Sequence, residues 1–231
     1  MNTLSYRQQR IFLLLATGLL YLMGMATSVQ AQADSPKLLL ENTTQEMFDA
    51  INSNRNKIKS DPELTSQLIE EILLPHIDFI TASKYVLGRN WNTADRQQKI
   101  GFIKAFRTLL LRFYSSALTE YLNTNDEELD VSLMEFYDPG TANNGQITVR
   151  SKVIPRSGKA VPINYLMHKT RKGWKVYDVS VEGVSVITTY KTSFASEIQQ
   201  SGLDALIKSL EERNRKLLAG DTSELQTKKN Q

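Results

Sequence analysis

Three carboxylates occupy positions where they could do chemistry. Asp178 and Glu182 flank an apolar strand, and Asp78 opens a short helix. A carboxylate buried among apolar groups has a raised pKa and can act as a general base. Such acids more often serve structure, Asp78 as a helix cap and Asp178 and Glu182 as partners for backbone or basic groups. The sequence shows no partner for any of them, and one acid alone is weak evidence for catalysis. His76, next to Pro75, and His168, in a strand, form neither a helical HExxH arrangement nor a ligand pair at metal spacing. Gly183-Val184-Ser185 begins like a nucleophile elbow, but Ile187 replaces the second glycine, so Ser185 reads as a helix cap. Phosphate-binding glycine loops and dinucleotide fingerprints are missing from the sequence. Lys169, Arg171 and Lys172 could face anionic headgroups, although a solvated hairpin turn is the more frequent use of such a cluster. Asn42-Thr43-Thr44 matches a glycosylation acceptor and reads as a helix start.

Composition narrows the class further. Residues 1–33 have the form of a secretory signal: Arg7 and Arg10, then fifteen apolar-rich residues from Ile11 to Met25, then Ala31-Gln32-Ala33 with cleavage expected after Ala33. That run falls short of the ~20 residues needed to span hydrocarbon. Without Arg7 and Arg10 the chain carries 26 basic and 25 acidic residues, which argues against a strongly basic nucleic-acid binder. There is no cysteine, so an exported chain must be held by packing alone. Residues 34–219 are expected to form one domain, and the tail 220–231 has no apolar pattern.

The elements that would position these groups follow from periodicity. Leu40, Met47, Phe48, Ile51 and Ile58 have loose helical spacing; Asp61-Pro62 opens a second helix that Leu74-Pro75 stops; a third runs from Asp78 to Leu87 and closes at Gly88. Asn92-Thr93 should cap a long helix from about Ala94 to Leu122, roughly 40 Å at the standard rise. That helix is apolar on two faces, Phe102, Phe106, Leu109, Phe113, Ala117 and Tyr121 on one and Ile103, Leu110, Tyr114 and Leu118 on the other. It is therefore sandwiched between layers, the commoner case, or borders a cavity. Four strands joined by short turns should follow, at 130–136, 146–154, 160–170 and 173–181, as an antiparallel meander. Near Gly183 the apolar period changes from two to that of a helix, with Ile187, Tyr190, Phe194 and Ile198 on one face. A last helix spans Leu203 to Leu218. The fold class is α+β, with a helical N-terminal half, a four-stranded antiparallel curved sheet and C-terminal helices.

Several stretches, taken in order, resemble the MlaC family of periplasmic phospholipid carriers, also called the toluene-tolerance family. They are EEILLPHIDFITASKYVLGRNW, the long helix with its aromatics from Phe106 to Tyr121, and GWKVYDVSVEGVSVITTYKTSF. The likeness covers roughly Leu64 to Leu210 and is most specific at Leu73-Leu74-Pro75, Val86-Leu87-Gly88, Trp174 through Asp178 and Glu182-Gly183-Val184-Ser185. Lys191 departs from it, since many members carry Arg there; the charge is kept and a bidentate contact is lost. The resemblance implies a nuclear-transport-factor-like half-barrel with a deep apolar pocket for acyl chains and the headgroup at its mouth. It also implies a shuttle between an outer-membrane MlaA-porin complex and an inner-membrane MlaFEDB complex, with no cofactor beyond the bound phospholipid.

Combined with the residue patterns, this places the sheet side of the pocket at Val153, Tyr165, Met167, Val176, Val179 and Val181. The helical wall would come from Phe106, Leu109, Leu110, Phe113 and Tyr114, with Val184, Ile187, Tyr190 and Phe194 from the later stretch. Two other functions remain open at this stage: an enzyme on the same half-barrel using Asp178 or Asp78, and a periplasmic adaptor with a filled core. A large cavity would exclude the adaptor; a carboxylate pointing into that cavity would favour the enzyme, and an all-apolar lining with a wide mouth would favour the carrier.

Overall fold

The structure, a computed structural model, describes residues 35–61, 63–155 and 158–218. The expected signal segment with its cleavage point, Pro62, the turn residues Arg156 and Ser157, and the tail 220–231 lie outside these residues. Helix α1 (Pro36–Ser60) starts where Ser35 Oγ accepts the Leu38 N–H at 3.3 Å and Pro36 occupies a position that needs no donor. The Asn42-Thr43-Thr44 triplet lies inside α1 rather than at its start. Helix α2 (Glu63–Leu68) runs on through a π-helical turn (Ile69–Leu73) and a 3-10 turn (Leu74–His76) that contains Pro75. Helix α3 (Phe79–Leu87) ends at Gly88, whose φ of 53° and ψ of −121° suit only glycine, and the Lys191 side chain lies across it.

The cap of the long helix differs from expectation. Asn92 and Thr93 belong to a one-turn helix α4 (Asn90–Thr93), and Asp95 caps α5 (Arg96–Thr124). Its carboxylate accepts the Gln98 N–H at 2.8 Å while the Gln98 side chain accepts the Asp95 N–H at 3.1 Å, a complete capping box.

Strands β1 (Met134–Phe136), β2 (Gln146–Val153), β3 (Val161–Thr170), β4 (Gly173–Val181) and β5 (Val184–Ser185) form one antiparallel sheet in chain order. There are five strands rather than four, because the chain makes a two-residue strand after the turn at Glu182 and Gly183, both at positive φ. Val131–Leu133, expected in the first strand, form a 3-10 turn capped by Asp130. Helices α6 (Val186–Ser201) and α7 (Leu203–Leu218) complete the described chain.

One irregularity in the sheet reorganises β4. Met167 pairs with Val176, but Leu166 pairs with Asp178, so Tyr177 is an extra residue in β4. Such a bulge bends its strand and reverses the alternation beyond it. Val176, Val179 and Val181 pair with Met167, Tyr165 and Ile163, and therefore share a face despite their unequal spacing. Asp178 and Ser180 are sent to the other side.

Helix α5 joins two cores. Phe102, Ala105, Phe106 and Leu109 pack with Ile187, Tyr190 and Phe194 of α6 and with Leu206 and Leu210 of α7. Leu122 joins Met47, Ile51, Ile58, Ile69 and Ile72, with Leu111 and Leu118 alongside. Polar ties lock the contacts: Asn214 Nδ2 donates to the Ala105 carbonyl at 2.9 Å, and the hydroxyls of Thr119 and Thr65 meet at 2.9 Å. A third cluster gathers Leu40, Val149, Met167 and Val176.

Asp178 fastens the sheet to α6. Only 8% exposed, it accepts the Ile187 N–H at 3.1 Å on one oxygen and the Ser185 hydroxyl at 2.6 Å on the other; Ser185 Oγ in turn accepts the Thr188 N–H at 3.0 Å. A buried carboxylate at a helix N-terminus is stabilised by those donors and by the helix dipole. In equilibrium urea unfolding, Asp178→Ala is expected to cost about 2 kcal/mol by leaving buried donors unmatched, and Ser185→Ala about 1 kcal/mol. The double variant should lose less than the sum because the two side chains act as one cap. Full additivity would show that they act independently.

Candidate functional site

Between α5, β4 and the segment that links α2 to α3 lies a cavity of about 280 Å³. Phe106, Leu110 and Tyr114 line it from α5, at steps of four that put them on one side of the helix, and Leu111 lies beside them. Val176, Val179 and Val181 line it from β4, brought onto a common face by the bulge, and Tyr177 and Asp178 also border it. Ile69, Leu73, Leu74 and Ile77 come from the α2–α3 segment, Phe79 and Ala82 from α3, and Val186 and Ile187 from the start of α6. The π turn matters here, since its wider winding changes the register in which residues 69–74 face inward. Such turns recur at functional sites. Tyr114 and Val181 are 45% and 42% exposed, which marks them as rim residues.

The lining offers little to polar chemistry. Asp178 is its one carboxylate, and both of its oxygens are engaged by the α6 N-terminus. Burial first, and then the Asp178 charge, push the Tyr114 phenol above its ordinary value; burial, then Tyr85 and Asp178, do the same for Tyr177. Both phenols are neutral across the physiological range. Among the described residues there is no group of three or more potential metal ligands, and no helix long and apolar enough to cross a membrane.

Asp78 lies beside this cavity as a brace. Its carboxylate accepts the Ile80 and Thr81 N–H groups at 3.0 Å, the Thr81 hydroxyl at 2.8 Å, and lies 2.9 Å from His168 Nε2. The Asp78 N–H donates to the Val176 carbonyl at 2.8 Å, and Tyr85 of α3 stacks on Tyr177. These contacts hold α3 against β4.

The residues expected at the pocket fall into separate places. Phe106, Leu110, Tyr114, Val176, Val179, Val181 and Ile187 meet at the cavity. Leu109, Phe113, Tyr190 and Phe194 gather instead at a smaller recess of about 50 Å³ against Arg213 and Leu217 of α7, because their stripe on α5 faces α6 and α7. Met167 is fully buried in the cluster beneath Leu40, Tyr165 stacks on Phe136, and Val153 pairs with Met134 and Val161 towards one end of the sheet. Val184 is 65% exposed in β5. Sequence reasoning passed over Ile69, Leu73, Leu74, Ile77 and Phe79. The run Leu73-Leu74-Pro75, apolar up to a helix-stopping proline, was the available signal for them.

Comparison with known proteins points one way. The sequence model of the family described as MlaC protein matches residues 41–212. The intermembrane phospholipid transport system binding protein MlaC of Haemophilus influenzae is 28% identical over 193 residues, covering 81% of this chain and 86% of that protein. Toluene tolerance protein ttg2D of Pseudomonas putida is also 28% identical, over 83% of this chain and 86% of its own length. A solved structure of a phospholipid-binding protein from Ralstonia solanacearum, in complex with a phospholipid, superposes with a TM-score of 0.68 at 26% identity, covering 80% of this chain and 99% of that one.

The Asp78 brace gives the site a pH signature. Burial alone would raise the Asp78 pKa, but the Thr81 amide and hydroxyl and then His168 outweigh it and hold the group below its ordinary 3.8. A depressed carboxylate contributes stability that is complete above its unfolded value and is lost as the pH falls through its folded value. Asp78→Ala should thus cost about 1 kcal/mol near neutrality, the usual price of a lost cap, and progressively less below pH of about 4. Unfolding curves of both proteins over that range check this; a difference independent of pH would refute the brace.

Proposed function

The chain belongs to the MlaC family, and on that premise we propose that it is a phospholipid carrier which buries acyl chain in the cavity between α5 and β4. The observation that carries this reading is the lining itself: apolar on every wall, with its one carboxylate tied to a helix N-terminus. Each methylene moved from water into such a space contributes about 0.8 kcal/mol, so about a dozen contribute roughly 10 kcal/mol before the costs of ordering. Affinity of that origin is indifferent to headgroup. The names of the relatives, a phospholipid transport system binding protein and a phospholipid-binding protein, agree with this reading.

Segment 1–33 would direct the chain to the periplasm, with cleavage after Ala33. The mature protein would then carry lipid between an MlaA-porin complex at the outer membrane and an MlaFEDB complex at the inner one. We read it as a carrier and not an enzyme, because the oxygens of Asp178 and Asp78 are occupied by helix caps. The adaptor reading needs a filled core, which a cavity of about 280 Å³ argues against.

Leu110→Glu tests the reading, with Val184→Glu as a control on an exposed residue outside the lining. Lipid extracted from purified protein should be abundant for the wild type and for Val184→Glu, and lost from Leu110→Glu, because a charge in the cavity opposes chain burial. A folded Leu110→Glu protein that keeps its lipid would contradict the assignment.

A further inference from the structure

The basic cluster Lys169, Arg171 and Lys172 takes no part in the cavity and lies at the far end of β4 from its rim. Gly173 begins that strand, and the rim residue Val181 ends it. At about 3.3 Å per residue the two lie about 25 Å apart. A partner that meets the β3–β4 hairpin therefore leaves the cavity mouth uncovered.

Residues 169–175 read KTRKGWK, four cations and no carboxylate, in a chain whose 28 basic and 25 acidic residues nearly balance. The register sets Lys169 opposite Trp174 and His168 opposite Lys175, so these cations crowd into the last rungs of the sheet. Thr170 fixes the turn that carries Arg171 and Lys172: its hydroxyl donates to the Gly173 carbonyl at 2.8 Å and accepts the Lys172 N–H at 3.1 Å. Trp174 packs on the cluster around Met167 and lies under the Lys169 ammonium, 5.9 Å from the ring centre. Lys175 donates to an uncharged group, the Pro75 carbonyl. Among the described residues, no carboxylate forms an ion pair with Arg171, Lys172 or Lys175. The β1–β2 loop alongside, joined where the Gly145 carbonyl accepts the Lys169 N–H at 2.9 Å, brings Asp138, which is already drawn to Lys37 at 3.7 Å. Both loops stand open: among the described residues, a Cβ at Gly140, Gly145 or Gly173 would meet no atom within 4 Å.

The chemistry of this tip selects its partner. A stable protein interface covers about 800 Å² on each side and is anchored by buried aromatic groups. A hairpin tip of long, solvated cations offers neither, since its one aromatic ring is engaged by the core and by Lys169. A layer of anionic headgroups asks for no such fit: it attracts every basic side chain within a Debye length, about 8 Å at physiological salt, and each adds about five-fold in affinity. We propose that the β3–β4 hairpin is a docking surface for anionic bilayers, which holds the protein by charge and leaves the cavity mouth free. Its three exposed cations, Lys169, Arg171 and Lys172, give on the order of a hundred-fold enrichment at such a surface, a weak and reversible contact. Acyl-chain burial plays no part in it, so it stands or falls separately from the carrier reading.

Co-sedimentation with vesicles tests the docking. Wild-type protein should bind vesicles of equal parts phosphatidylglycerol and phosphatidylcholine and not vesicles of phosphatidylcholine alone, and binding should vanish when salt shortens the Debye length from about 10 Å to about 3 Å. Arg171→Gln with Lys172→Gln should lower the partition about 25-fold, whereas Lys104→Gln with Lys208→Gln, the same loss of charge at exposed positions of α5 and α7, should leave it within about two-fold. Because the chain has no cysteine, a single introduced thiol can carry an environment-sensitive dye. A dye on Ala142→Cys, in the β1–β2 loop, should respond to the anionic vesicles, and one on Val184→Cys, paired with the rim residue Val181, should not. Wild-type binding by the Arg171→Gln, Lys172→Gln variant, equal binding to both vesicle compositions, or a response at position 184 in place of 142 overturns the proposal. So does failure of the wild type to bind the anionic vesicles, which would leave the cluster to an acidic protein segment.

Discussion

A single extra residue in β4 organises this molecule. If β4 paired regularly with β3, Val176 would share a face with Asp178 and Ser180, while Val179 and Val181 would point the other way. The bulge at Tyr177 reverses that alternation in mid-strand. Val176, Val179 and Val181 then supply one apolar surface, and Asp178 is delivered to the N-terminus of α6, where it closes the sheet onto the helix. Cavity wall and helix anchor are two results of the same irregularity.

Helix α5 supplies the opposing wall and has two partners to satisfy. Its Phe102, Phe106 and Leu109 are stitched into α6 and α7, with aromatic rings meeting edge to face, while Leu110 and Tyr114 are left facing open space. The packed side makes the helix rigid, and rigidity allows the other side to border a cavity without collapsing into it. The sandwich and the cavity, posed as alternatives by the doubled apolar face, coexist on one helix.

Much of this was legible in the residues. The change of period near Gly183, the cap at Ser185, the stop at Gly88 and the meander of strands all follow from local chemistry that acts within a few residues. The helical half of the cavity was readable too, because Phe106, Leu110 and Tyr114 obey a helical step. What escaped was set by contacts distant in sequence. Met167 and Val153 have the alternation of pocket residues, but only strand pairing decides which pleats α1 covers. Leu109 and Phe113 differ from Leu110 and Tyr114 by one position and face α7 because Asn214 and its neighbours dock there. The π turn at Ile69–Leu73 has no composition of its own, so Leu73 and Leu74 looked like an ordinary helix end. Asp95 was passed over as a cap for Asn92-Thr93, although Gln98 three residues later completes the capping box.

The most direct measurement is photo-crosslinking with a phospholipid bearing a diazirine near the end of one acyl chain, followed by mass mapping of the labelled peptides. Labels are expected on Phe106, Leu110, Leu111 and Tyr114, on Val176, Val179 and Val181, and on Ile69, Leu73, Leu74 and Ile77, all of which line the cavity. Labels confined to the recess beside Arg213 and Leu217, or to the sheet surface around Val153 and Tyr165, would show that the chain is held elsewhere and would contradict that placement.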